Sequence, residues 1–223
     1  MPIPFPTDWR TALVLVPHPD DAEYGMSAAV NRWTREGKRV IYVMATSGEA
    51  GIAGMDPQES GPIREAEQLR SAAVVGVHTV DFLHFPDGKL TNDASMRAAI
   101  DHALERHQPE VVITIFTGEE YAPGIRNQSD HMMFGQAVAE TMKDHDDQWL
   151  FETAPNGEYI VEVTDEDVEA AVAALVEHEQ YLRVLDPDTP VSEQARKQVE
   201  MSTLAPDGSR RSTFILRQER SAI

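Results

Sequence analysis

Cysteine is absent from the 223 residues of this chain. Its absence excludes disulfide staples and every thiolate metal site, and it fits a reducing compartment, so a cytoplasmic location is expected. Long apolar runs are missing as well: none approaches the roughly 20 residues needed to cross a bilayer. The opening stretch MPIPFPTDWR lacks a basic start followed by an apolar segment, so no secretory signal is expected. Positive charge is scarce, with 19 Lys+Arg against 38 Asp+Glu and a net charge of -19. Such a surface repels phosphate, which argues against nucleic acid or an anionic membrane as a partner. Most of the acids, as in EDVEAAVAALVEHE, read as a solvated helix face.

What is present suffices for a core. Hydrophobic residues make up 41% of the chain, and the length suits one domain over residues 1–223. The pattern alternates strand and helix. TALVLVP (11–17) is a short continuous apolar run of the buried parallel type, and RVIYVMAT (39–46), VDFLHF (80–85) and VVITIFT (111–117) follow as further strands. Between them the spacing predicts helices over 22–36, 62–75 and about 96–108, with residues 47–61 as a Gly-rich loop. A further helix is expected over 130–142, then a loop at KDHDDQ, a strand over 159–163 and a helix over 165–183. In the tail (184–223), a helix near 193–203 and a strand over 212–217 are expected. This order predicts an α/β fold with a Rossmann-like, mostly parallel sheet and helices on both faces. Ligands of such folds bind outside the carboxyl ends of the strands.

The polar residues gather on that side. HPDD follows the first strand, TSGEAG the second, HFPDG the third, and the NQSDH loop the fourth. His18 and Asp21 lie three residues apart across a turn entering a helix, so both side chains can face the same way. A neutral imidazole with a carboxylate suits Zn²⁺, and His131, at the start of a later helix, is the candidate third ligand. Three protein ligands leave a position open for water, as in catalytic zinc sites. Asp20 lies between the first two ligands, close enough to take a proton from that water. The alternative is local: Asp20 as an N-cap with Glu23 completing a capping box, Pro19 as a turn former, and His131 as a surface or capping group.

PHPDDAEYG closely resembles the signature of the LmbE/PIG-L family of zinc-dependent N-acetylglucosaminyl deacetylases. TSGEAG, REAEQLRSAAVVGV, FPDG, SDHMMFG and ALVEHEQ resemble further elements of that family in the same order, over about 11–142 and 160–182. The resemblance implies zinc ligands at His18, Asp21 and His131, and Asp20 as general base and then general acid. It implies Arg64 beside Asp20 or the reacting centre, against the alternative of a solvated first-turn arginine. Glu49 and Asp87 would bind sugar hydroxyls, or serve only the turn that PDG forms by itself. Asp130 would orient His131 as a carboxylate partner. His178 would approach the pocket or simply pack.

Two departures stand out. The family's H-x-D-H has Gln128 at its first position here, within NQSDH. Gln can donate a hydrogen bond but carries no charge and delivers no proton. The oxyanion would then rest on zinc, helped by Asn127 or Gln128. The connection between 142 and 159 is also short where family members often place substrate-contacting structure. The expected activity is hydrolysis of an N-acetyl group on a small glucosamine-containing molecule. The alternatives are another zinc reaction on the same scaffold, such as a thiol-conjugate amidase or a hydratase, and a non-catalytic sugar- or metal-binding protein. Two imidazoles and one carboxylate also accept Fe²⁺ and other divalent ions. A homo-oligomer is compatible with the sequence.

Overall fold

In the computed structural model, residues 2–122 and 124–221 are described, so the extreme ends of the expected 1–223 span lie outside it. The first long strand, β2 (Thr11–Val16), follows a two-residue strand β1 (Ile3–Pro4). Then come α1 (Asp21–Gly25), α2 (Ser27–Arg35), β3 (Arg39–Met44), α3 (Pro57–Val74), β4 (Val80–Phe82), α4 (Ala94–His107) and β5 (Val111–Thr114). A hairpin of β6 (Glu120–Ala122) and β7 (Ile125–Arg126) leads into α5 (Ser129–Thr141). The chain closes with β8 (Trp149–Thr153), β9 (Tyr159–Glu162), α6 (Asp165–Val176), α7 (Glu179–Leu185), α8 (Val191–Thr203) and β10 (Arg211–Gln218).

The main sheet runs β1-β9-β10-β8-β5-β2-β3-β4. It is mostly parallel; β10 alone runs antiparallel to its neighbours β8 and β9. Alternation along the central strands feeds two apolar layers, because successive side chains point to opposite faces. Ala12, Val14 and Val16 join Tyr42 and Met44 in the larger layer, under α2, α3, α6 and α8. Leu13 and Leu15 join Ile41 and Val43 in the other, under α4 and α5. Covered on both faces, these strands read as unbroken apolar runs. The strand order reverses at β2, with β3 and β4 on one side and β5 and β8 on the other. The crevice of the fold therefore opens where β2 and β5 end.

Several boundaries differ from the sequence reading. The expected helix over 22–36 breaks at buried Met26, whose φ of -143° is not helical, giving α1 and α2. α3 starts at Pro57, not Pro62, because Asp56 accepts a hydrogen bond from the Gln58 N–H at 2.9 Å as an N-cap and Pro57 suits the next position. Pro62 is absorbed inside the helix. The strands expected to end at 85 and 117 stop at Phe82 and Thr114, which frees longer loops at the strand ends. WLFET is a buried strand that sequence periodicity did not separate from the acidic loop before it; β8 pairs in parallel with β5. The helix expected over 165–183 breaks after Val176, and His178 is the N-cap of α7.

The start of the chain is pinned by an aromatic cluster. The Phe5 ring lies 4.3 Å from Phe151, 5.0 Å from Trp33 and 5.1 Å from Phe214 between centroids. Replacing Phe5 with Ala is expected to cost about 3–5 kcal/mol, measured as a fall in urea midpoint at unchanged slope.

Candidate active site

The loops after β2, β3, β4 and β5, with the start of α5, converge at this crevice. Asp21 bridges the two histidines: Oδ2 lies 3.2 Å from His18 Nδ1, and Oδ1 lies 3.2 Å from His131 Nε2. The same Oδ2 accepts the His18 backbone N–H at 2.8 Å, which ties the turn to its own carboxylate. One candidate ligand atom from each of His18, Asp21 and His131 lies within 4.8 Å of the others. His131 Nε2 is buried, and beyond its 3.2 Å approach to Asp21 Oδ1, which lacks hydrogen-bond alignment, it has no partner among the described residues. A bare imidazole nitrogen facing a carboxylate and a second imidazole fits a divalent cation, whose bonds to such atoms are about 2.0–2.2 Å.

Both histidines are oriented from behind. His18 Nε2 lies 3.1 Å from Asp87 Oδ1 and 3.4 Å from Asp130 Oδ2. Asp87 is held by the Ala50 N–H on Oδ2, and its own N–H donates to Glu49 Oε1. Asp130 accepts from the Gly88 and Leu90 N–H groups. Asp130 therefore meets His18, not the His131 that the resemblance implied: as the second residue of α5 its carboxylate turns toward the loop after β4. The partner of His131 is Tyr121, whose hydroxyl lies 2.6 Å from Nδ1. It comes from the β6 strand, and only the loop geometry reveals it.

Asp20 stands apart from the group, only 5% exposed. Its φ of 95° is left-handed, a conformation that costs a non-glycine residue about 1–3 kcal/mol. Its carboxylate caps no helix, so the capping-box alternative does not apply. Oδ1 instead accepts from Arg64 Nη2 at 2.8 Å. Arg64 is 2% exposed in the interior of α3, not a solvated first-turn residue. It also donates to the Pro19 and Gly48 carbonyls and lies 4.2 Å from the Tyr181 ring centroid. A Cβ on Gly48, whose φ is +63°, would sit 2.3 Å from Arg64 Nη1, so glycine is required there.

Two further expected contacts are not made, at Asn127 and His178. The Asn127 amide is consumed by the Phe116 and Gly118 carbonyls, so it stabilises the hairpin and has no donor left for a substrate. His178 is 0% exposed, packed behind α1 with Nε2 3.6 Å from Glu23 Oε2, and cannot touch a ligand. Gln128 is exposed at the N-cap of α5, its side chain free of hydrogen bonds among the described residues.

The electrostatics ask for a cation. Burial disfavours a charged His18 ring, but Asp130, Asp21 and Asp87 outweigh it and push its pKa up to about 12. Burial likewise opposes ionisation of Asp21, but His131 and His18 draw its pKa well below the usual carboxylate range. A divalent ion would meet the same demand without protonating either ring. For Asp20 burial dominates, only partly offset by Arg64, and raises the pKa to about 6.

A Rossmann-like sheet with a His–Asp–His group at its switch point describes a class, and the sequence comparison narrows it. Residues 13–142, more than half of the chain, match the GlcNAc-PI de-N-acetylase (PIG-L) family, and the chain belongs to that family. It is 29% identical over 140 residues to a probable N-acetyl-alpha-D-glucosaminyl L-malate deacetylase 2 of Bacillus anthracis, covering 60% of this chain and 59% of that one. It is 30% identical over 108 residues to the diacetylchitobiose deacetylase of Thermococcus kodakarensis, covering 48% of this chain and 40% of that one. The matches thus span less than two thirds of these relatives' lengths.

Among solved structures, N,N'-diacetylchitobiose deacetylase from Pyrococcus horikoshii superposes with a TM-score of 0.78 at 22% identity, covering 94% of this chain and 84% of that one. A 4-carboxy-2-hydroxymuconate hydratase from Pseudomonas putida gives 0.67 at 17% identity, covering 96% and 98%. These likenesses establish the fold and leave the reaction open, since the same fold carries a deacetylase and a hydratase. No helix among the described residues is long and apolar enough to cross a membrane.

If the His–Asp–His group binds a divalent ion, His131→Ala is expected to abolish stoichiometric zinc in elemental analysis of the purified protein. Asp87→Asn, which weakens the hold on His18, is expected to lower zinc affinity about 10–100-fold in a chelator competition titration.

Proposed function

We propose that this protein is a metal-dependent hydrolase that removes an N-acetyl group from a small glucosamine-containing molecule. The observation that carries the reading is Asp20: a buried carboxylate with one oxygen held by Arg64, one residue from Asp21. A structural metal site needs no such neighbour, and neither does a site that only binds sugar. A positioned base beside the attacking water is what amide hydrolysis requires.

His18, Asp21 and His131 would hold the ion, zinc or another divalent metal. When bound, it supplies a Lewis acid for the amide carbonyl and acidifies the attacking water. Asp20 takes one proton from that water onto its free carboxylate oxygen while Arg64 keeps the other oxygen in place. The oxygen adds to the carbonyl carbon, the C–N bond breaks, and Asp20 returns the proton to the departing amine. Acetate and a free amino sugar leave. Asp87 and Asp130 keep the His18 ring in one orientation, and Tyr121 does so for His131. Glu49 Oε2, buried without a partner, is the acceptor offered to a sugar hydroxyl. The free amide of Gln128, three residues before His131, can donate to the developing oxyanion as a neutral group.

The class of substrate comes from the named relatives, two of which are deacetylases of N-acetylglucosamine derivatives. The test is acetate release from a panel of N-acetylglucosaminides by the zinc-loaded chain. Asp20→Asn is expected to lower kcat/KM about 10²–10⁴-fold with zinc content unchanged. Equal activity of the variant and the parent would overturn the role of Asp20, and no acetate from any member of the panel would overturn the reaction.

A further inference from the structure

Behind the proposed base, the face of α3 that carries Arg64 continues into polar groups that the mechanism has not used. Arg64, Gln68 and Ser71 recur on one face of α3 and are fully or almost fully buried. Arg64 holds the Asp20 carboxylate; Gln68 holds its backbone. The Asp20 N–H donates to Gln68 Oε1 at 2.8 Å. The Gln68 amide in turn donates from Nε2 to Glu23 Oε1 at 3.1 Å, and the Ser71 hydroxyl donates to the same oxygen at 2.8 Å. Glu23 is 1% exposed and Gln68 0%.

We infer that Gln68 is a positioning residue for Asp20, its amide locked by Glu23 so that its carbonyl oxygen faces the left-handed backbone of the base. The inference rests on the hydrolase reading above. Its physical basis is satisfaction of buried groups. Glu23 Oε1 accepts from both the Gln68 amide nitrogen and the Ser71 hydroxyl, and the backbone N–H of Asp20 can only donate, so the amide oxygen is the atom that faces Asp20. Without that acceptor the Asp20 N–H is buried and unpaired, a cost the turn relieves by rotating Asp20 out of its left-handed conformation. Rotation swings the carboxylate off Arg64. The metal-type group is spared, because the turn at His18 is closed independently by its own N–H on Asp21 Oδ2. Gln68 therefore governs the aim of the base and leaves metal binding alone.

The near-isosteric Gln68→Met removes the acceptor and keeps the volume. It is expected to lower kcat for acetate release from N-acetylglucosamine about 10–100-fold, as small misplacements of reacting groups do. KM and zinc affinity should stay within about threefold, a margin well below that expected loss. Hydrogen exchange at the Asp20 amide, read on the peptide covering residues 17–25, should accelerate. The paired exchange Gln68→Glu with Glu23→Gln restores both hydrogen bonds with acid and amide swapped, and should recover most of kcat and the slow exchange. Unchanged exchange in Gln68→Met, or parallel loss of kcat and zinc affinity, would overturn the inference. A parent chain that releases no acetate overturns the hydrolase reading instead, and the exchange measurement on that same protein still decides whether Gln68 holds Asp20.

Discussion

Asp21 joins two histidines that the chain keeps far apart. One carboxylate oxygen meets His18 in the turn after β2, the other meets His131 on α5, and the rest of the site is arranged around that bridge. Two imidazoles brought to one buried carboxylate leave His131 Nε2 without a well-aligned hydrogen bond and an excess of negative charge around His18. Both are costly without a cation. The sheet supplies the precision: β2 and β5 are adjacent parallel strands, covered on both faces, so the loops leaving them start from rigid ends.

The next layer separates two tasks. Asp87, Asp130 and Tyr121 act on the histidine rings, whereas Arg64 and Gln68 act on Asp20. The supports of the rings come from the loop after β4, from β6 and from the start of α5, and those of Asp20 from one face of α3. A site whose ligands and base have separate supports can change one without losing the other. The exposed Gln128, at the N-cap of α5, belongs to neither support.

Much of this was legible in the sequence for a local reason. β2, β3 and β5 are apolar runs because both faces are buried, and His18, Asp20 and Asp21 share one turn. The motif at 17–25 is short-range chemistry, so its geometry follows from local backbone. Where long-range packing decided, the sequence misled. Asp130 adjoins His131 in the chain and yet serves His18. His178 lies in a segment that resembles a family element, yet it is sealed behind α1. Asn127 spends its amide on the hairpin. β8 escaped notice because five residues after an acidic loop carry little periodicity of their own, and only pairing with β5 makes them a strand.

The amino-acid sequence alone determined the class of fold, the identity of the residues able to hold a cation, and the acid beside them, because burial patterns and a nine-residue motif are local properties. Tertiary structure alone decided which carboxylate faces which ring, which tyrosine meets His131, and which glutamine grips the Asp20 backbone. Those pairings join segments distant in the chain, and hydrogen-bond partners across such distances are chosen by packing, which no spacing along the chain records.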